Sequence, residues 1–275
     1  MADSMDTVER RLNSTRAQLE AVEKELDGWT AGTAQECQSS SPGMLSTLLD
    51  TLYSQILDEA FRDFRPKEKG WEIRLSILHT FLCTAERTST SVVTDLLFTS
   101  DHNDIAEKLL SDLHALLYRE HGRVLAYHKS FSDFIFDRDR PGIFWCNQGM
   151  YHRLLADACF RCMKDGLRFN IANIPSSFVF DVDPTLADAV KENIHPVLEY
   201  SCRNWSYHIA AAASIIRDVL HDSISEFLKL RALFWIEATN LLGLRGLCGS
   251  MLQTVRDWVI SSRVSFLSFE YTVTD

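Results

Sequence analysis

The sequence predicts a mainly α-helical protein in which a first helical region closes with a small β-hairpin and a second, wholly helical region follows. Two observations predict it: apolar residues recur at intervals of three and four along most of residues 45–262, and at 123–128 that period gives way to alternation. Composition supports an ordinary folded core, with 46% hydrophobic and 24% charged residues in 275.

Near the start, Val8, Leu12, Leu19, Val22 and Leu26 follow an alternating three-four spacing, with Thr15 in the one polar slot. This predicts an amphipathic, coiled-coil-like helix over 1–29, a seam through which residues 5–26 could pair two copies of the chain. Residues 30–43 (TAGTAQECQSSSPG) lack apolar periodicity and read as a linker. From Leu45 to Phe64, Leu48, Leu49, Leu52, Ile56, Leu57, Ala60 and Phe61 form one apolar face, and Arg65-Pro66 ends that helix. Further helices are expected over 73–85, from a cap near Ser89–Ser91 through Leu97, and over 103–117.

After the His121-Gly122 turn, Arg123–His128 is β-rich, and Gly142–Cys146 is its expected partner. Helices followed by a hairpin is the order of a winged helix, so residues 44–148 are read as a helix plus a winged-helix-like domain. Residues 149–263 are read as a helical domain, with helices over about 151–166, 184–194, 196–213, 223–242 and 246–262. Asp183-Pro184 supplies a cap and a proline at the first helical position, Ser223 and Glu226 have capping-box spacing, and Gly243 suits a helix stop. In the tail 264–275, Val264–Val273 is aromatic and β-branched and reads as a strand.

Net charge is −10, from 38 acidic and 28 basic residues, and no basic stripe is present to neutralise phosphates. The expected recognition helix at 103–117 carries Asp104, Glu107 and Asp112 against Lys108, which argues against nucleic acid. The first residues (MADSMDTVERR) have no signal-peptide character, and the longest uncharged apolar stretch, Ile209–Ile216, is too short to span a bilayer. The seven cysteines at 37, 83, 146, 159, 162, 202 and 248 are an odd set at irregular spacing and read as reduced thiols in a cytoplasmic protein with no membrane partner.

Two local patterns carry chemistry. Phe178-Val-Phe-Asp181-Val-Asp183-Pro-Thr185-Leu186 resembles the first motif of haloacid-dehalogenase-type phosphohydrolases, in which the first aspartate attacks phosphorus and the second is general acid and base. The residues after Leu186 read as helices without paired magnesium-binding aspartates, so Asp183 is assigned as a helix cap and the phosphohydrolase remains the alternative. Cys159 and Cys162, with Cys202 and His208, supply the ligand types of a zinc site. A spacing of three on a helix beside Leu155 and Met163 assigns them to the core instead, so no metal is expected. No G-x-x-x-x-G-K-[ST] loop is present to cradle nucleotide phosphates, and no catalytic residue or cofactor is assigned to the chain itself.

Tyr127-His-Lys-Ser-Phe-Ser-Asp-Phe-Ile135 resembles the H-x-S-F-x-(D/E)-F-(L/I) signature of the winged-helix domain in NACHT-type (NLR-like, STAND) signal-transduction NTPases. Four more segments resemble fungal members in the same order: Leu49-Asp-x-Leu-Tyr-x-x-Ile-Leu57, His152-Arg-Leu-Leu-Ala156 with Cys159 and Met163, Leu198-Glu-Tyr-Ser-Cys-Arg-Asn-Trp205 with His208, and Phe227-Leu through Phe234-Trp-Ile-Glu237. The resemblance spans roughly residues 45–245. It implies a non-catalytic, truncated module of such a switch, packing on a protein partner or on a NACHT core supplied in trans. It also implies that His128 contacts the phosphate of a nucleotide bound in that core. The Walker loop of the family is not in this sequence.

Overall fold

A computed structural model describes residues 42–97, 102–176, 184–212 and 218–272. The described chain is mainly helical, with one antiparallel two-stranded hairpin. It divides into two compact units: residues 42–82, 87–90 and 102–147 form the first, and 83–86, 91–97 and the described part of 148–272 form the second. The expected helix over 5–26 and the aspartates Asp181 and Asp183 lie outside the described residues.

In the first unit, α1 (Pro42–Phe61) is followed by α2 (Lys69–Cys83). Helix α1 already includes Pro42 and Gly43, the last two residues of the expected linker. Its face of Leu49, Leu52, Tyr53, Ile56, Leu57, Ala60 and Phe61 is buried, as its three-four spacing requires. Helix α3 (Thr90–Leu97) belongs to the second unit from residue 91, and the first unit resumes with α4, which covers Asn103–Asp112 and is shorter than expected. Leu113, Leu116 and Leu117 keep the helical spacing, yet a backbone bond from Leu116 N–H to Leu113 O turns the chain into β1 (Leu117–Glu120).

Strand β1 pairs with β2 (Arg123–Ala126) in the register Leu117 to Ala126 and Glu120 to Arg123. His121 (φ 50°) and Gly122 (φ 77°) both take the left-handed conformation between them, the requirement of a two-residue type I′ hairpin. The expected pairing of Gly142–Cys146 with β2 is therefore corrected. Gly142–Phe144 is a 3₁₀ turn, and the outer edge of β2 is met by Val124 N–H donating to Thr88 O at 2.8 Å. The strand also stops at Ala126, short of His128, and α5 (Lys129–Phe136) follows at once.

The second unit contains α6 (Gln148–Gly166), α7 (Pro184–Asn193), α8 (Pro196–Ala211), α9 (Asp218–Leu230), α10 (Ala232–Leu241) and α11 (Leu247–Thr272). Helices α6 and α8 form its most extensive contact, with α9 packed on α6 and α11 on α8. Pro184 opens α7 and Pro196 opens α8, where a missing N–H costs nothing. Three expectations are corrected. Ser223 and Glu226 lie inside α9 rather than at its start, and the single helix expected over 223–242 breaks at Arg231. The tail read as a strand from 264 is helical as far as Thr272. Gly243 (φ 72°) does end α10, with Leu244 N–H bonded to Thr239 O and Gly243 N–H to Asn240 O, a complete Schellman stop.

Candidate functional site

Two places concentrate the residues that the sequence singled out, one in each unit. In the first unit, His128 is the N-cap of α5: its backbone is extended (φ −139°, ψ 143°) and its Nδ1 accepts the Ser130 backbone N–H at 3.1 Å. A neutral imidazole that accepts at Nδ1 carries its proton on Nε2, so the cap fixes this side chain as an Nε2–H donor. Ser130 Oγ lies 2.7 Å from the same Nδ1 and is also hydrogen-bonded to Tyr53 Oη of α1. Phe131, Phe134 and Ile135 form the buried face of α5, and Tyr53 packs at 5.4 Å from both phenylalanine rings. The H-x-S-F-x-x-F-I pattern is thus a cap, a bridge to α1 and one core face. Asp50, in the α1 pattern, forms a two-point ion pair with Arg140.

In the second unit, the segments singled out on α6, α8, α9 and α10 meet in one core. Trp205 packs against Phe160 (5.6 Å), Phe227 (4.8 Å) and Trp235 (5.6 Å), and Trp235 Nε1 donates to the Cys202 carbonyl at 3.0 Å. Beside these rings runs a buried polar row. Ala85 N–H donates to Tyr200 Oη (3.2 Å), Tyr200 Oη is 2.8 Å from His208 Nε2, and His208 Nδ1 is 3.0 Å from His152 Nδ1. Burial, and then the neighbouring His152, hold His208 down to about 3, and burial lowers His152 as well. Burial also pushes the Tyr200 phenol upward.

Burial raises the Cys159, Cys162 and Cys202 thiols. His208 spends both nitrogens on Tyr200 and His152. Among the described residues, no three His, Cys, Asp or Glu side chains are grouped to hold a metal ion.

Periodicity missed an outward face on α10. Trp235, Ala238 and Thr239 point inward, while Leu233 (78% exposed) and Ile236 (37%) point outward one turn apart. Glu237, next to Ile236, accepts the backbone N–H groups of Asn170 (3.3 Å) and Ile171 (3.2 Å), which fixes the loop carrying Phe169, 79% exposed. Leu186, Leu241 and Arg245 join Leu233 and Ile236 around an open groove of about 620 Å³. The signal was present in the sequence: α10 is apolar on nearly every side (ALFWIEATNL), more than one buried face can use.

No family model, curated protein or solved structure matches the chain. No helix among the described residues is long and apolar enough to cross a membrane.

Proposed function

We propose that this chain is a non-catalytic interaction module of an NLR-like switch, in which a winged-helix-like unit and a helical unit pack on a nucleotide-binding core supplied in trans. The observation that carries this reading is the exposed apolar pair Leu233 and Ile236 on α10, which line one open groove with Leu186 and Leu241. Large apolar side chains one turn apart in the open are the kind of surface that a protein partner covers. The groove is open and half of its lining is apolar, which suits a protein surface.

Two features support the family side of the reading. Along the chain α2, α3 and α4 precede a type I′ hairpin, the element order of a winged helix, and of these α2, α4 and the hairpin pack in the first unit while α3 packs in the second from residue 91. His128, which the resemblance places at the phosphate of a nucleotide held in the core, is the N-cap of α5. The sequence has no glycine-and-lysine cradle of its own, so the nucleotide belongs to the core and the chain relays a change made there. Under this proposal the chain works in the cytoplasm and binds neither nucleic acid nor membrane, and residues 5–26 can pair two copies.

The experiment is sedimentation of the chain mixed with an ADP-loaded NACHT-type core. A complex that forms with the wild-type chain and is lost with Leu233→Asp/Ile236→Asp supports the proposal. No complex, or one indifferent to those substitutions, counts against it. Magnesium-dependent release of phosphate from an aryl phosphate, lost on Asp181→Asn, would replace it with the phosphohydrolase reading.

A further inference from the structure

Helices α6 and α9 pack on each other and leave a cleft of about 280 Å³ between them. Asp157, Phe160, Arg161 and Lys164, spaced at three and four along α6, line it from one side. Glu226 and Phe227 line it from α9, and Arg231, the residue between α9 and α10, lines it as well. Phe160 and Phe227 are buried with their rings 5.7 Å apart, so part of the wall is aromatic. The cleft shares no lining residue with the groove on α10.

The charges of the cleft are unevenly matched. Lys164 Nζ and Glu226 Oε1 pair with each other at 2.7 Å. Arg161 Nη2 donates to the Leu96 carbonyl at 3.4 Å. Asp157 has no hydrogen bond or ion pair among the described residues; burial pushes its carboxyl up, and Arg153 and Arg161 oppose that at longer range. Arg231 likewise has no side-chain hydrogen bond or ion pair among the described residues, and its Nε is buried without an acceptor.

One cleft thus holds a carboxylate and a guanidinium, each partly shielded from solvent and neither paired with the other. Each loses hydration without a protein hydrogen bond in return. A simple anion would satisfy Arg231 but set a second negative charge near Asp157, and a simple cation would leave Arg231 as it is. A ligand with both charges on one small framework answers both groups, and an apolar body on that framework suits the two phenylalanine rings. The volume lies just below the usual range for drug-sized ligands, which suits a molecule the size of a single amino acid.

We propose that this cleft binds a free α-amino acid with an apolar side chain: its carboxylate pairs with Arg231, its ammonium with Asp157, and its side chain lies against Phe160 and Phe227. A guanidinium recognises a carboxylate through two parallel N–H donors, and a carboxylate accepts from an ammonium with the strength of a charged hydrogen bond.

The test is a calorimetric titration of the full chain with L-leucine, with isoamylamine, which lacks only the carboxylate, and with isocaproate, which lacks only the ammonium. L-Leucine should bind saturably and about tenfold or more tighter than either analogue, since each analogue forfeits one charged hydrogen bond. Arg231→Gln and Asp157→Asn should each weaken L-leucine by about tenfold or more for the same reason. Arg256→Gln, on α11 beside Asp257, should leave binding unchanged. Absence of saturable L-leucine binding overturns the proposal, and so does either analogue binding as tightly as L-leucine. Undiminished L-leucine binding in Arg231→Gln or Asp157→Asn overturns it too, and the analogue series on the wild-type chain decides alone if a variant does not fold.

Discussion

Arg74, 2% exposed, donates one Nη2 both to Asp112 Oδ2 at 2.6 Å and to the Ala60 carbonyl at 2.9 Å, which joins α2 to α4 and to the end of α1. Its guanidinium also lies over the rings of Phe61 and Phe64, at 5.5 and 4.9 Å. Arg74→Ala leaves a cavity, an unmatched carbonyl and a carboxylate supported by Lys108 alone. A loss of about 3 kcal/mol is expected in urea unfolding, and Arg74→Lys should lose about 1–2 kcal/mol because an ammonium lacks the flat fork. A loss under 1 kcal/mol for Arg74→Ala would contradict this account of the first unit.

The second unit depends on its four rings. Trp205→Ala should cost about 3–5 kcal/mol, since Phe160, Phe227 and Trp235 all lose a partner. Trp235→Phe keeps most of the packing and removes the donor to the Cys202 carbonyl, so about 1–2 kcal/mol is expected. Equilibrium unfolding followed by tryptophan fluorescence checks both the values and their order.

Stability should also fall in acid, and the sign follows from the direction of the shift. His208 is neutral in the fold down to about 3 but ordinary, near 6.5, when unfolded. Its contribution is complete above pH 6.5 and is lost as pH falls toward 3, because the unfolded chain then binds the extra proton. From pH 7 to pH 5 the expected loss is about 2 kcal/mol from this residue, and His152, lowered by burial, acts in the same direction. Urea midpoints at the two pH values measure it, and His208→Gln should flatten the difference.

Two glycines should respond oppositely to alanine. Gly243 holds φ 72° at the stop of α10, so Gly243→Ala should cost about 1 kcal/mol. Gly249 lies in α11 with open space where a Cβ would stand, so Gly249→Ala should gain about 0.5–1 kcal/mol. Thermal unfolding of the two variants gives the comparison.

The cap on α5 is separable from any role toward a nucleotide. His128→Ala should cost about 1 kcal/mol, and His128→Asn should recover most of it by accepting the Ser130 N–H. Thermal unfolding again decides, and full loss in both variants would contradict the capping geometry.

The helices could be read from the sequence wherever a buried face repeats at three and four, as in Leu49, Leu52, Ile56 and Leu57. The hairpin turn was legible at His121-Gly122 for a local reason, since few other pairs adopt a left-handed conformation twice in succession. Its first strand was hidden. Leu113, Leu116 and Leu117 continue the period of α4, and only pairing with β2 pulls the last of them out of it. The break at Arg231 was masked by apolar residues running through 227–236, and the α11 tail by its β-branched composition. For the second unit, His152, Tyr200 and His208 could each be noticed, but their hydrogen-bonded row depends on the packing of α6 on α8 and of residues 83–86 on α8, which spacing along the chain does not encode.

The most direct test of a non-catalytic relay is the rate at which a NACHT-type core releases bound ADP, followed with a fluorescent analogue in the presence and absence of this chain. The wild-type chain should slow release several-fold, and Leu233→Asp/Ile236→Asp should leave the rate of the core alone. An unchanged rate with the wild-type chain, or nucleoside triphosphate turnover by the chain in isolation, would contradict the account.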